Sequence, residues 1–213
     1  MKPPSSLYRK SLIDILLVAL RSAFLIGSIS LMLWLLYTTV CFFTDTPMPS
    51  STLPVMFSTA DGGGLSAGDQ PEIYLKMPIA IGWISAENEP KGFVAVCSIF
   101  YFLANLCLLL AIRLTIQVLE AAGSGAFFLQ ANAVRLRGIA LTAFGILFFY
   151  RLATIISASH FKNKLQFPGL EFNSHYIFYF GDLLYIMGLL FLLVLAEAFR
   201  IGAIVKAEND LTI

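Results

Sequence analysis

The chain has 213 residues, of which 58% are apolar and 13% charged, with a mean hydropathy of +0.82. That excludes an ordinary soluble domain, a disordered chain and a collagen-like one, since a soluble domain carries about twice that charge. Fourteen Lys and Arg against thirteen Asp and Glu leave a net charge of +1, too little for the basic field that direct nucleic-acid binding needs, and three cysteines without a close Cys or His neighbour suggest neither a disulfide scaffold nor zinc.

Taken in chain order, the first candidate membrane span covers residues 12–44. Ser22 to Thr44 is free of charge, and a helical lead-in passes through Asp14 and Arg21. Lys2, Arg9 and Lys10 precede it as in a secretory signal, but the apolar run is too long and no small-residue cleavage pattern follows. The segment therefore reads as an uncleaved anchor. Ala19, Ala23 and Gly27 form a smooth stripe suited to close helix packing.

Residues 45–91 form the longest soluble piece, with six acids against two lysines. Pro47, Pro49, Pro54 and the run Asp61-Gly62-Gly63-Gly64 predict turns and irregular structure. From Glu72 to Ser85, apolar Ile73, Leu75, Met77, Ile79 and Ile81 alternate with other residues, a period of two that predicts a strand, edge-confined or split at Pro78. The second span follows at 92–119. A connection at 120–137 breaks at Gly123-Ser124-Gly125 and then becomes an interfacial helix, with Phe127, Ala131 and Val134 on one face and Gln130, Arg135 and Arg137 elsewhere.

The third span, 138–159, is interrupted by Arg151, and the fourth, 172–199, by Asp182. Each run satisfies the roughly 20 apolar residues that a crossing needs. The pattern predicts one all-α membrane domain over 1–213, an antiparallel bundle of four transmembrane helices with a small β-containing external loop. Nine basic residues (Lys2, Arg9, Lys10, Arg21, Arg113, Arg135, Arg137, Arg200, Lys206) fall on one side and five on the other. The positive-inside rule then places both termini, the 120–137 connection and the 200–213 tail in the cytoplasm.

Charges inside lipid are expensive, so those in the spans are the first candidates for a site. Arg151 and Asp182 approach from the same side on adjacent helices and are expected to pair, locking the helices or lining an ion path. Asp14, Arg21, Arg113, Glu197 and Arg200 gather near the inner face, with Glu197 and Arg200 three apart on one helix. Cys41 and Cys97, near outer helix ends, could form a disulfide if their helices pack and the exterior is oxidising. His160 and His175 lack the carboxylate cluster of a metal site. No catalytic constellation and no phosphate-binding glycine loop appear, so no cofactor is expected.

The run Leu195-Ala196-Glu197-Ala198-Phe199-Arg200-Ile201-Gly202-Ala203, then Glu208-Asn209-Asp210-Leu211-Thr212-Ile213, together with Phe128, Asn132, Leu136 and Arg137, resembles the bacterial four-helix membrane family called domain of unknown function 2975. The resemblance covers most of the chain from the second helix onward and implies an architecture and a place in the inner membrane, not a reaction. Members often occur beside small helix-turn-helix regulators, which implies a cytoplasmic DNA-binding partner. Phe128, Asn132, Arg135, Arg137, Glu208, Asp210, Leu211 and Ile213 are then the partner-binding candidates. The resulting expectation is a non-enzymatic regulatory or sensory protein of the lipid bilayer; a small transporter or ion-permeable homo-oligomer, and a structural subunit of a membrane complex, remain alternatives.

Overall fold

The computed structural model describes residues 5–44, 51–59, 65–67, 70–75, 79–86, 89–125, 127–165, 170–172 and 180–211; at 5–11, 51, 65–67, 70–75, 86, 180–181 and 210–211 the backbone alone is described. Among these residues there are four long helices, α1 (Ser5–Phe43), α2 (Lys91–Gly123), α3 (Gln130–Lys162) and α4 (Phe180–Leu211). Five strands accompany them: β1 (Ser51–Thr59), β2 (Leu65–Ala67), β3 (Gln70–Leu75), β4 (Ala80–Ala86) and β5 (Leu170–Phe172).

Each helix contains a stretch long and apolar enough to cross a membrane: Leu12–Phe43, Lys91–Gly123, Gln130–Lys162 and Asp182–Asn209. At 1.5 Å per residue even the shortest of these rises about 42 Å, more than a hydrocarbon core of ~30 Å requires. The helices are apolar nearly all round, and Leu25, Met32, Leu36, Leu184, Phe191 and Val194 among others stand exposed.

The chain divides into two compact units, one comprising residues 1–34, 104–147 and 184–213, the other 35–103 and 148–183. The second carries the strands. Its three-stranded antiparallel sheet has the order β4-β1-β5, with Leu53 opposite Ile84, Val55 opposite Gly82, and Phe57 opposite both Ala80 and Phe172. The strands β2 and β3 form a separate antiparallel pair. Leu53, Val55, Phe57, Ile84 and Phe172 share one sheet face and pack with Phe93, Cys97 and Tyr101 of α2 and Ile156 and Phe161 of α3.

The strand β1 departs from the expected irregular structure, and it is the centre of the sheet. Its Pro54 stands opposite Trp83 of β4, and the described pairing with β5 covers Phe57 to Thr59. The expected strand over Glu72 to Ser85 is split between β3 and β4; Pro78, the residue expected to split it, lies outside the described residues. The start of the fourth helix also differs. Residue 172, expected to open it, lies instead in β5, where Leu170 to Phe172 pair with β1, and the described helix is Phe180–Leu211.

In the other unit, α2 runs to Gly123 and ends in a turn where Gly125 takes φ 79°, a backbone region that favours glycine. From Gln130 the chain is one uninterrupted helix, so the expected interfacial helix and the third span it feeds are one element, α3. Asn132, Ala133, Leu136 and Ala140 form its buried face, whereas Phe127 before it and Ala131 and Val134 on it are exposed, the apolar side expected to meet the interface. Ala133 and Leu136 pack with Ala196 and Phe199 of α4, where the alanines allow close approach. Gly27 lies against α2, since a Cβ there would meet the Leu109 side chain at 3.0 Å; Ala19 and Ala23 of the same stripe are exposed.

Candidate functional site

In the sheet-bearing unit, Arg151 donates from its guanidinium to Asp182 at 2.6 Å. Side-chain exposures of 3% and 6% place the pair out of solvent. Because α4 begins at Phe180, Asp182 sits in its first turn, where the positive end of the helix dipole favours a carboxylate.

A second charged group in this unit was not legible as a cluster. Glu89, just before α2, accepts hydrogen bonds at 2.7 Å from Lys164 Nζ and at the same distance from His160 Nε2. The Lys164 hydrogen bond, followed by that of His160, holds the Glu89 carboxyl below its usual range. The imidazole of His160 also stacks on Phe93, centroid to centroid 3.7 Å. Seventy-one residues separate Glu89 from His160, so no local spacing signalled their meeting. His175 lies outside the described residues. Among the described residues, no group of three or more His, Cys, Asp or Glu is arranged to hold a metal.

Along one edge of the sheet core lies a cavity of about 260 Å³, lined by Val55, Phe57, Trp83, Ile84 and Phe172 with Glu171 as its carboxylate. Gly82 shapes it. A Cβ there would come within 2.5 Å of the Phe57 ring, so glycine leaves that ring its place. In the same unit Cys41 and Cys97 are both buried free thiols. The candidate disulfide between them is not formed, and Cys97 Sγ lies 3.7 Å from Ser157 Oγ of α3.

In the other unit, the expected inner-face cluster separates into smaller groups. Arg21 pairs with Glu120 at 2.6 Å, a partner that sequence reasoning missed. Glu197 is bridged by two arginines, Arg137 at 2.7 Å and Arg200 at 2.6 Å. No ion pair among the described residues involves Asp14 or Arg113.

The segment before α3 and the last turns of α4 meet here. The rings of Phe127 and Phe128 lie 4.7 and 5.5 Å from Phe199, and Gly202 makes room for Phe128, which a Cβ would approach to 2.9 Å. Asn132 is completely buried; its amide donates to Phe127 O at 2.9 Å, and its oxygen accepts from Arg135 at 2.7 Å. That corrects its assignment as a partner contact, because both ends of its side chain hold the protein's own chain. Phe128 and Arg137 remain exposed, although Arg137 is engaged by Glu197. The tail is not a separate peptide: helix α4 continues to Leu211. Glu208 is exposed on it, whereas the side chains of Asp210 and Leu211, and all of Ile213, lie outside the described residues. A second cavity, about 360 Å³, opens here between Phe128, Leu129 and Gln130 on one wall and Arg200, Ile204 and Lys206 on the other.

The two segments that carry the family resemblance are thus packed together, through Phe128 on Phe199, Leu136 on Ala196 and Arg137 on Glu197. No curated protein and no solved structure matches the chain significantly. A family model described as "Protein of unknown function (DUF2975)" matches residues 70–213, which takes in β3 and β4 as well as α2 to α4. The chain belongs to that family.

Proposed function

We propose that this is a multi-pass protein of the bacterial inner membrane, a four-helix antiparallel bundle with both termini in the cytoplasm, that acts as a non-enzymatic regulator. The exposed apolar faces of all four helices support insertion, since such surface is stable against lipid chains and not against water. The Lys and Arg asymmetry supports the orientation. Activity of a periplasm-dependent reporter fused after Ile213 would overturn it.

The sheet-bearing unit serves as the input and the junction of α3 with α4 as the output. The observation that carries the sensory reading is the cavity beside Phe57 and Trp83, mostly apolar with one carboxylate at Glu171, the usual character of a small-molecule pocket. By the family analogy the output partner is a small helix-turn-helix regulator docking on the α4 tail, where Glu208 and Asp210 suit a basic surface. The test is affinity capture from membranes with the full chain and with a chain ending at Ala207. A helix-turn-helix protein recovered only with the full chain supports the reading. Equal recovery with both, or none with either, refutes it.

Transport is the second reading, and Arg151 with Asp182 is the observation that favours it. Proton or ion flux through the protein in liposomes, abolished by Asp182→Asn, would establish it in place of the first. A scaffold role in a membrane complex or a homo-oligomer draws on the same exposed helix faces, and crosslinking in native membranes separates these from a monomer.

A further inference from the structure

The cavity between the start of α3 and the end of α4 has two unlike walls. Phe128, Leu129 and Ile204 are apolar, whereas Arg200 and Lys206 are cationic, and no carboxylate lines it among the described residues. Arg200 shares the Glu197 carboxylate with Arg137, so two guanidiniums face one acid and a positive charge is left over. No ion pair among the described residues involves Lys206, which is exposed. The amino end of the 33-residue α3 opens at Gln130 on the same cavity, and its dipole adds to the positive potential. All these groups belong to one unit.

We propose that this cavity binds the headgroup of an anionic phospholipid. The phosphate lies between Arg200 and Lys206, and the acyl chains descend past Ile204 along the exposed apolar face of α4 towards its amino end, Ile201 and Val194 among them. The volume, about 360 Å³, is that of roughly a dozen waters, enough for a phosphoglycerol group. Basic pockets between helices at a bilayer surface suit such headgroups because both charge and chain direction are matched. The inference rests on the membrane-embedded part of the function proposed above and not on its regulatory part. Resistance to alkaline extraction tests insertion separately from the site.

The experiment is native mass spectrometry of the full chain in detergent, titrated with phosphatidylglycerol or with phosphatidylcholine. The wild type is expected to retain one phosphatidylglycerol in preference to phosphatidylcholine. Lys206→Gln should weaken that retention about fivefold, the equivalent of ~1 kcal/mol per basic residue at a membrane surface. Ala203→Leu fills the cavity from α4 without removing charge and should abolish the preference. Lys162→Gln, an exposed lysine elsewhere on α3, should leave it unchanged. Equal retention of the two lipids, or equal loss with Lys162→Gln, would overturn the site. Displacement by millimolar inorganic phosphate would overturn it in favour of a free anion. A polypeptide carried through purification with no lipid adduct would overturn it in favour of a protein partner.

Discussion

Removing either member of the Arg151–Asp182 pair separates structure from function most sharply. The two side chains are 3% and 6% exposed and 2.6 Å apart, so Asp182→Leu strands a guanidinium, and Arg151→Met a carboxylate, where water does not reach. Breaking a buried pair in this way costs about 3–5 kcal/mol, whereas replacing both partners with apolar groups of similar volume is often neutral or stabilising. Each single variant should therefore lose about 10²- to 10⁴-fold in folding equilibrium constant, and the double variant should regain most of it. The assay is reversible unfolding in mixed micelles followed by circular dichroism, arranged as a double-mutant cycle. Arg21 and Glu120 provide the contrast: at 60% and 44% exposure their pair should contribute about 0–1 kcal/mol. Additive losses in the Arg151 and Asp182 cycle, or single losses no larger than that of Glu120→Gln, would refute a locking role.

Other outcomes follow from the same geometry. Glu89 has a lowered folded-state pKa, so its contribution is complete above the ordinary carboxylate value of 4.5 and is lost as pH falls through the lower folded value. Thermal unfolding midpoints between pH 3 and 7 should fall on the acid side, and Glu89→Gln should flatten that limb; an unchanged limb would exclude Glu89 as its source. Gly82→Ala should cost about 1–3 kcal/mol by displacing the Phe57 ring, measured by denaturant unfolding, with the loss relieved in a Phe57→Leu background. If the two losses simply add, the contact is not the cause. Asn132→Ala should cost about 1–3 kcal/mol by removing the donor to the Phe127 carbonyl and leaving Arg135, among the described residues, with only the Gln117 carbonyl, while Asn132→Asp retains the acceptor for Arg135 and should cost less. Non-reducing mass spectrometry of the denatured protein should find both Cys41 and Cys97 alkylatable, and a mass two daltons low would show the disulfide after all.

Four long apolar helices were legible because a membrane span announces itself in composition: twenty or so uncharged residues need no partner to be recognised. The meeting of Arg151 with Asp182 was legible for a related reason, since charges are rare enough in such runs that adjacent helices leave few ways to pair them. Local rules served less well in the long loop. Pro54 argued against a strand, yet β1 runs through it, paired there with Trp83 of β4. The amphipathic pattern around Phe127, Ala131 and Val134 marked an apolar face that is exposed, but gave no sign that Ala133 and Leu136 pack on Ala196 and Phe199. Sequence spacing also gave no sign of Glu89 with His160 and Lys164, or of Arg21 with Glu120, because each joins residues far apart in the chain.

By itself, then, the sequence determined a chain with four apolar helices, a strand-bearing loop, a lopsided distribution of basic residues and two motif segments. Tertiary structure alone decided what those segments touch. It brought Phe128 to Phe199 and Arg137 to Glu197, turned Asn132 inward, directed Cys97 to Ser157, and left Arg200 and Lys206 on the wall of a cavity. Hydropathy is a property of each residue and can be summed along the chain, whereas a site depends on which distant side chains share one volume.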